Sequence, residues 1–562
     1  MGGTMIIDGR KVNFKDQKNI LSVIRDSGID LPTFCYHSEL SIYGACRMCT
    51  VETSKGKIIA TCSELPKDGM EIYTNSPRIR KYRKMILELL LSNHDRDCTV
   101  CERTGKCQLQ NLAKRYGINR IRFDQLIEEK EIDNSSPSII KNPNKCIKCG
   151  DCVMVCDEIQ GVGALGFTHR GTEVEIKPAF NKKLSETNCV NCGQCRIVCP
   201  TAAITIRNET QKVWDAIYDK NTRVIAQIAP AVRVALGEEF GMKPGEVTIG
   251  KIASILRKIG VDEVYDTALS ADLTVMEESD EFLDRFSKDE NLPLFTSCCP
   301  AWVKFVENKY PELTKNISTC KSPQQMFGSV AREVYNKKDK EDGKKTFIVS
   351  IMPCTAKKAE AARPEFCHEG VREVDVVLTT QELAIMIKEI GVNFHTIEEE
   401  ALDMPFGIAS GAGIIFGTTG GVTEAVLRRL LRDKFGKEER EIIFNSVRGL
   451  EAVKEAVVEV DGKNISVAVV HGLKDADYLV KQIKKGEKYY DLVEVMACKG
   501  GCIAGGGQPV PRIITKETRA LRAAGLYNID KTTQIKSSDD NYIVKSIYDH
   551  ILKENTHILH VK

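Results

Sequence analysis

Hydrophobic spacing changes several times along this chain, and each change marks an element. Residues 5–14, Met-Ile-Ile-Asp-Gly-Arg-Lys-Val-Asn-Phe, place two apolar runs around an Asp-Gly turn, which predicts a β-hairpin. A short helical stretch follows from Asn19 to Ser27, and apolar residues recur at helical spacing between Ile79 and Leu91. Beyond residue 205, strand-like runs (Val224-Ile225-Ala226-Gln227-Ile228, Phe347 to Ile351) alternate with helical ones such as Ile249 to Ile259. That alternation reads as α/β. No run of 18 or more apolar residues occurs, and no basic-then-apolar leader opens the chain. Neither membrane spanning nor export is expected, and the expected location is the cytoplasm.

At 562 residues the chain exceeds one ordinary core, so several domains are expected. Its 42% hydrophobic and 28% charged residues are those of a soluble globular protein, and a net charge of +2 argues against nucleic acid as the main partner. Twenty-two cysteines change the picture. In a long chain without an export signal, gathered mostly as C-x2-C units, they read as metal ligands rather than disulfides. Soft thiolates in fours select zinc or iron–sulphur clusters.

The first set is Cys35, Cys46, Cys49 and Cys62, spaced C-x10-C-x2-C-x12-C. Spacing alone does not name its cluster, and a zinc ribbon uses the same donors. It resembles the 2Fe–2S domain at the front of hydrogenases and of the large iron–sulphur subunit of respiratory NADH dehydrogenase. His94, Cys98, Cys101 and Cys107 follow as H-x3-C-x2-C-x5-C. Both families carry such a three-Cys-one-His 4Fe–4S site; a zinc site of the same donors is the alternative. A neutral imidazole in place of a thiolate shifts a cluster's potential upward. Next, Cys146, Cys149, Cys152 and Cys156 form C-x2-C-x2-C-x3-C, and Cys189, Cys192, Cys195 and Cys199 repeat it before Pro200. This is a duplicated bacterial ferredoxin run, in which the fourth cysteine of each run ligates the other cluster. Cys146, Cys149 and Cys152 therefore pair with Cys199, and Cys189, Cys192 and Cys195 with Cys156. Asp157 stands where the first run would carry proline. Four clusters in series imply a wire with something at each end.

The last third carries Thr296-Ser297-Cys298-Cys299-Pro300, Met352-Pro353-Cys354-Thr355 and Met496-Ala497-Cys498-Lys499-Gly500-Gly501-Cys502. Neighbouring side chains in an extended segment point to opposite faces, so one of Cys298 and Cys299 can ligate while the other faces elsewhere. Glycines between Cys498 and Cys502 let backbone approach a bulky ligand. Cys299, Cys354, Cys498 and Cys502 suffice for one 4Fe–4S cubane.

These three segments, and nearly the whole chain through His557-Ile558-Leu559-His560, resemble the iron-iron hydrogenases. The resemblance implies a multidomain α/β and α+β protein. Residues 1–78 would form a β-grasp ferredoxin-like 2Fe–2S domain, 79–126 a small helical His/Cys 4Fe–4S domain, 127–208 a two-cluster ferredoxin-like domain, and 209–562 a large two-lobed α/β catalytic domain. It further implies reversible reduction of protons to H2 at an H-cluster, a 4Fe–4S cubane joined to a diiron unit bearing CO, cyanide and a bridging dithiolate. One 2Fe–2S and three accessory 4Fe–4S clusters would feed it, and dedicated maturation proteins would supply the diiron unit. Cys502 matches the cysteine bridging the two halves. Cys298 matches the proton-relay thiol, continued by Glu278, Ser318 and Glu281, with Arg285 near the surface. Lys357 matches the lysine holding a cyanide ligand, and Pro230, Gln324, Met352, Phe416 and Met496 match residues packed around the diiron unit.

Without the resemblance, Glu277, Glu278 and Glu281 read as a solvated charge run, and Ser410-Gly411-Ala412-Gly413 bedding the cluster fits better than a dinucleotide loop, since no G-x-G-x-x-G is present. Ala301 stands where glycine is common in the family, and Ala231 and Ala356 where some relatives carry serine; the two lost hydroxyls predict altered potential or catalytic bias. Cys320 and Cys367 have no role and are expected to be free and buried, though Cys320, two residues from Ser318, could affect the relay. Arg78, Arg80, Lys81, Arg83 and Lys84 could steer an acidic carrier, most simply ferredoxin, or form a solvated helix face. The alternatives are an electron-transfer subunit, which would lack the Cys298-Cys299-Pro300 set, and a hydrogenase-like assembly or sensor protein without turnover.

Overall fold

The computed structural model describes residues 2–125, 128–431, 437–460, 462–510, 514–553 and 555–561. The expected domain boundary at residue 126 lies outside the described residues. β1 (Gly3–Ile7) and β2 (Arg10–Phe14) form the predicted hairpin. Asp8 and Gly9 both take positive φ, 49° and 81°, the backbone of a two-residue turn that matches strand twist. β3 (Thr50–Thr53), β4 (Ile58–Ala60) and β5 (Glu71–Tyr73) complete a sheet of order β2-β1-β5-β3-β4, with β1 parallel to β5. The helix Ile20–Asp26 buries Ile20, Leu21, Val23 and Ile24 against it. Asn19 is its cap rather than its first residue: Asn19 Oδ1 accepts from Ser22 N–H at 2.9 Å.

The helix expected over Ile79–Leu91 runs Pro77–Ser92, capped by Ser76. Arg78, Arg80, Lys81 and Lys84 are exposed on it. Arg83 is not: it is 2% exposed and donates to the carbonyls of Met48 (3.0 Å), Thr74 (2.9 Å) and Thr50 (2.6 Å). It is a structural clamp between this helix and the first sheet, and it leaves the candidate basic patch.

β6 (Ile139–Lys141), β7 (Gly166–Thr168), β8 (Glu175–Lys177) and β9 (Ile204–Ile206) pair as β6-β9 and β7-β8. The two cysteine runs between them fold alike. Lys148 and Gly150 in the first, and Asn191 and Gly193 in the second, take positive φ, and short helices Asp151–Met154 and Gln194–Ile197 follow. They part where Asp157 replaces proline: the first run continues as a π-helical turn, Val155–Ile159.

Among the described residues the remainder holds two four-stranded sheets and one two-stranded sheet. β10 (Thr222–Ile228), β11 (Glu263–Asp266), β12 (Leu294–Phe295), β13 (Lys345–Met352), β14 (Cys367–His368), β15 (Val371–Arg372), β16 (Val376–Thr379), β17 (Val453–Val460), β18 (Lys463–His471) and β19 (Leu492–Met496) succeed one another along the chain. One four-stranded sheet is β11-β10-β13-β16, wholly parallel; the other is β12-β19-β18-β17, with only β17 antiparallel. Residues 223–228 of β10 are all buried, which is why this strand reads as a continuous run instead of alternating. Cys320 is buried as expected, whereas Cys367 is only half-buried, in the β14-β15 hairpin at the surface.

Candidate active site and cluster cysteines

Parallel strands bring the loops at their carboxyl ends together, and ligands of such sheets bind there. Pro230 comes just after β10, Thr267 after β11, Cys298 after β12, Pro353 and Cys354 after β13, and Cys498 and Cys502 after β19. Five strands from two sheets thus converge on one cavity of about 70 Å³, several times the roughly 10–15 Å³ one water needs on this measure. Cys298, Cys354, Cys502, Pro230, Gln324, Met352, Lys357, Phe416 and Met496 all line it, together with Ala231.

Cys299 does not line it but packs with Cys298 and Cys502 against Phe416 and Met496, its Sγ accepting from Ala497 N–H at 3.5 Å. Burial, then Cys354 and Cys299, push Cys498 and Cys502 up, and burial, then Cys299, pushes Cys354 up to about 11. Thiols crowded in this way disfavour one another's ionisation and favour a bound cation, with Cys299 and Cys354 as the main sources. Gly501 (φ 92°) brings backbone against them; a Cβ there would stand 2.6 Å from Thr419 N. Lys357, buried, bonds through Nζ to Glu360 Oε2 at 2.8 Å and Cys298 O at 3.2 Å. Burial opposes its charge, but Glu360 more than offsets this and keeps it cationic.

Glu278 is 0% exposed, so the solvated-face reading fails for it. Its Oε1 accepts from Ser297 N–H at 3.4 Å, its Oε2 meets no protein partner, and burial, then Glu281, push it up to about 8. Glu281 Oε2 accepts from Ser318 Oγ–H at 2.7 Å and Glu281 Oε1 from Arg285 at 2.5 Å. Arg285 is half-buried and also donates to Lys315 O at 3.0 Å. Ser410 caps the helix Gly411–Ile415, and Ala412 packs with Phe416 and Met496 beside Cys298 and Cys502.

Apart from Cys320 and Cys367, the other cysteines fall into four groups. Cys46 N–H donates to Cys35 Sγ at 3.3 Å, and hydrogen bonds from the Cys35 and Cys62 thiols lower Cys46 and Cys49 respectively. Cys107 is pushed up by burial and by Cys101 and Cys98. His94 is buried with no protein partner on Nδ1, and burial lowers it to about 4, leaving the neutral imidazole that can ligate metal. Cys146, Cys149, Cys152 and Cys199 line one small cavity. Cys189, Cys192 and Cys195 each feel the charge of Cys156. The crossed pairing of the two runs is thus what proximity brings together.

The groups do not lie in a simple series. Cys35, Cys46, Cys107 and Cys149 share one apolar cluster. Both the first group and the His94 group therefore abut the Cys146 group, and the arrangement is forked. At the far end Gln194 Nε2 donates to Cys498 Sγ at 3.2 Å and Thr355 Oγ1 to Asn191 O at 2.8 Å. Gly193 makes that contact: its Cβ would stand 2.4 Å from Thr355 Oγ1.

Residues 222–506 match the family described as the iron only hydrogenase large subunit, C-terminal domain, and residues 516–562 the iron hydrogenase small subunit. Upstream, residues 4–77 match a 2Fe-2S iron-sulfur cluster binding domain, 83–122 the NADH-ubiquinone oxidoreductase-G iron-sulfur binding region, and 145–203 a 4Fe-4S dicluster domain. The chain is 41% identical to the NADP-reducing hydrogenase subunit HndD of Solidesulfovibrio fructosivorans, over 98% of this chain and 96% of that one. It is 37% identical to iron hydrogenase 1 of Clostridium pasteurianum, over 97% and 96%. A solved structure of HydA1 from Chlamydomonas reinhardtii, 35% identical, superposes with a TM-score of 0.53 over 63% of this chain and 98% of that one. The fold and site define an iron–sulphur oxidoreductase, and the chain belongs to the iron-only hydrogenase family. It is a hydrogenase with iron–sulphur electron transfer, containing 2Fe–2S and 4Fe–4S domains ahead of an H-cluster hydrogenase fold. Among the described residues no helix is long and apolar enough to cross a membrane.

The donor sets fit such clusters: thiols in fours with no disulfide among them, a cavity beside the last set, and unpartnered buried oxygens Gln324 Oε1 and Glu278 Oε2 close to it. Sequence reasoning missed Gln194, Thr267 and Glu494. Glu494 accepts from Gly420 N–H (2.7 Å) and Thr423 N–H (2.8 Å), fixing the loop under Cys502. A lone carboxylate inside the apolar run of β19 was its only signal.

Proposed function

We propose that protons and hydrogen are interconverted at an H-cluster whose cubane would be held by Cys299, Cys354, Cys498 and Cys502, with the residues of the adjoining cavity, Cys502 among them, holding the diiron unit. When bound, that group would supply the metal chemistry that forms or cleaves the H–H bond as two protons and two electrons interconvert with H2. The protein does the rest. Apolar walls from Pro230, Met352, Phe416 and Met496 exclude water, and Lys357 offers a cation to an anionic ligand. Cys298 Sγ–H passes a proton to and from the cavity. Glu278, neutral at pH 7 because its pKa lies near 8, exchanges it with Cys298 on one side and with Ser318 and Glu281 on the other. Glu281, paired with Arg285, delivers it outward. The buried carboxyl of Glu278, its Oε2 without a protein partner, between Cys298 and Glu281 is the observation that carries this reading.

The grouped cysteines and His94 would hold one 2Fe–2S and three 4Fe–4S clusters, which would supply electron transfer between the cavity and an external carrier, ferredoxin. Maturation proteins supply the diiron unit, and the enzyme works in the cytoplasm. Cys298→Ala tests the relay: H2 turnover falls by about 10²–10⁴ while carbonyl and cyanide infrared bands persist. Retained turnover in the fully loaded variant would refute it.

A further inference from the structure

Cys320 belongs to none of the cluster sets. The chain around it is zipped to the C-terminal segment: Lys321 N–H donates to Leu559 O and Val561 N–H to Thr319 O, both at 2.8 Å, with Cys320 and His560 as an antiparallel bridge. These bonds flank the pair instead of joining it. Cys320 and His560 are thus a non-hydrogen-bonded pair, the kind whose Cα atoms sit about 4.5 Å apart with side chains closest. A third side chain comes from the helix Thr267–Lys288: Glu281 Oε2 lies 3.7 Å from Cys320 Sγ. The three ligand atoms all fall within 4.8 Å of one another. His560, 27% exposed at its side chain, also borders a surface cleft shared with His557, Lys321 and Glu373, so an ion has a way in.

The geometry points to a divalent-cation site of the zinc class at Glu281, Cys320 and His560. One thiolate, one imidazole and one carboxylate form a borderline-soft set that disfavours magnesium and calcium, and three protein ligands leave a fourth, open position for water. On binding, Cys320 Sγ–H releases its proton to solvent and His560 ligates as neutral imidazole. Burial, then Glu278 and Glu281, hold Cys320 as a thiol in the free protein; the same negative potential favours a dication. Binding also displaces existing bonds. Glu281 accepts from Arg285 (2.5 Å), Ser318 (2.7 Å) and Thr319 N–H (3.1 Å), and His560 contacts Thr319 Oγ1 and Glu277 Oε2, both at 2.9 Å. Affinity is therefore micromolar rather than that of a preformed structural zinc site. The consequence for turnover rests on the relay proposed above: zinc on Glu281 takes the acceptor of Ser318 Oγ–H and stops proton passage.

The test uses matured holoenzyme in chelator-free buffer, ZnCl2 as probe, and H2 oxidation with benzyl viologen. About 10–100 µM zinc slows the wild type tenfold or more, and EDTA reverses this. Cys320→Ala and His560→Gln, each compared with its own zinc-free rate, lose less than about twofold at the same concentration. Zinc X-ray absorption shows one sulphur at about 2.3 Å and nitrogen or oxygen at about 2.0–2.1 Å, with the sulphur absent in Cys320→Ala. Equal inhibition of wild type and Cys320→Ala, or no sulphur-ligated zinc dependent on Cys320, overturns the site. Sulphur-ligated zinc with undiminished turnover keeps the site and contradicts the relay through Glu281.

Discussion

Glu278→Gln separates proton passage from everything else Glu278 does. The side chain is fully buried, accepts from Ser297 N–H at 3.4 Å and presents an unpartnered Oε2. Burial and Glu281 push it up to about 8, so at pH 7 it is already neutral. Glutamine keeps its size, its neutrality and the acceptor for Ser297; it loses only the exchangeable proton. A positioned acid–base group contributes about 10²–10⁴-fold, or about 2.7–5.5 kcal/mol of barrier, and H2 turnover should fall by that factor. The assay is H2 oxidation with benzyl viologen across pH 6–10, with infrared spectra verifying equal cofactor loading. Wild-type turnover should decline above about pH 8 as Glu278 ionises beside Glu281, and the variant should lack that limb. Stability gives an independent sign. A folded pKa raised from 4.5 to about 8 means the native state holds a proton the unfolded chain releases in that window. Wild-type stability falls as pH rises through it, by about 3 kcal/mol at pH 7, and Glu278→Gln removes that slope. A loss under about threefold with the alkaline limb intact would refute the role.

Three further substitutions probe the frame. Arg83→Ala strips a buried cation from three carbonyls and should cost about 3 kcal/mol, read from thermal unfolding followed by cluster absorbance; a change below about 1 kcal/mol contradicts the clamp. Gly193→Ala drives a Cβ to 2.4 Å from Thr355 Oγ1 at φ 70° and should destabilise by about 1–3 kcal/mol; adding Thr355→Ala should recover part of this in the same unfolding assay, and no recovery would place the strain elsewhere. Gln194→Leu removes the N–H donated to Cys498 Sγ at 3.2 Å, and because such bonds favour the reduced cluster the cubane potential should fall; a potentiometric titration showing an unchanged or higher value would contradict this.

Much of this was legible before the fold. Ligand spacing is local, so the repeat at Cys146 and Cys189 exposed both its clusters and their crossed pairing, and the Asp8-Gly9 turn announced its hairpin. The three C-terminal segments stood out as the proposed cubane ligands because cysteine has few reasons to recur among glycine and proline. The hidden features were long-range. Arg83 looked like one more base on an exposed helix until Met48, Thr50 and Thr74 surrounded it. Glu278 read as surface because its neighbours Glu277 and Glu281 are charged, and only burial on the helix face toward Ser297 distinguishes it. The fork at Cys149 depends on how two domains pack, and the pairing of Cys320 with His560 joins residues 240 positions apart. Neither leaves a periodic trace.

The whole proposed chemistry depends on the cavity beside Cys298 holding a diiron unit that bears CO and cyanide. Infrared spectroscopy of the protein after co-expression with hydrogenase maturation proteins tests this most directly. Carbonyl and cyanide stretching bands should appear, shift under H2 and vanish when Cys502 is replaced by alanine. Fully matured protein that carries its iron–sulphur clusters, yet shows no such bands, would contradict it.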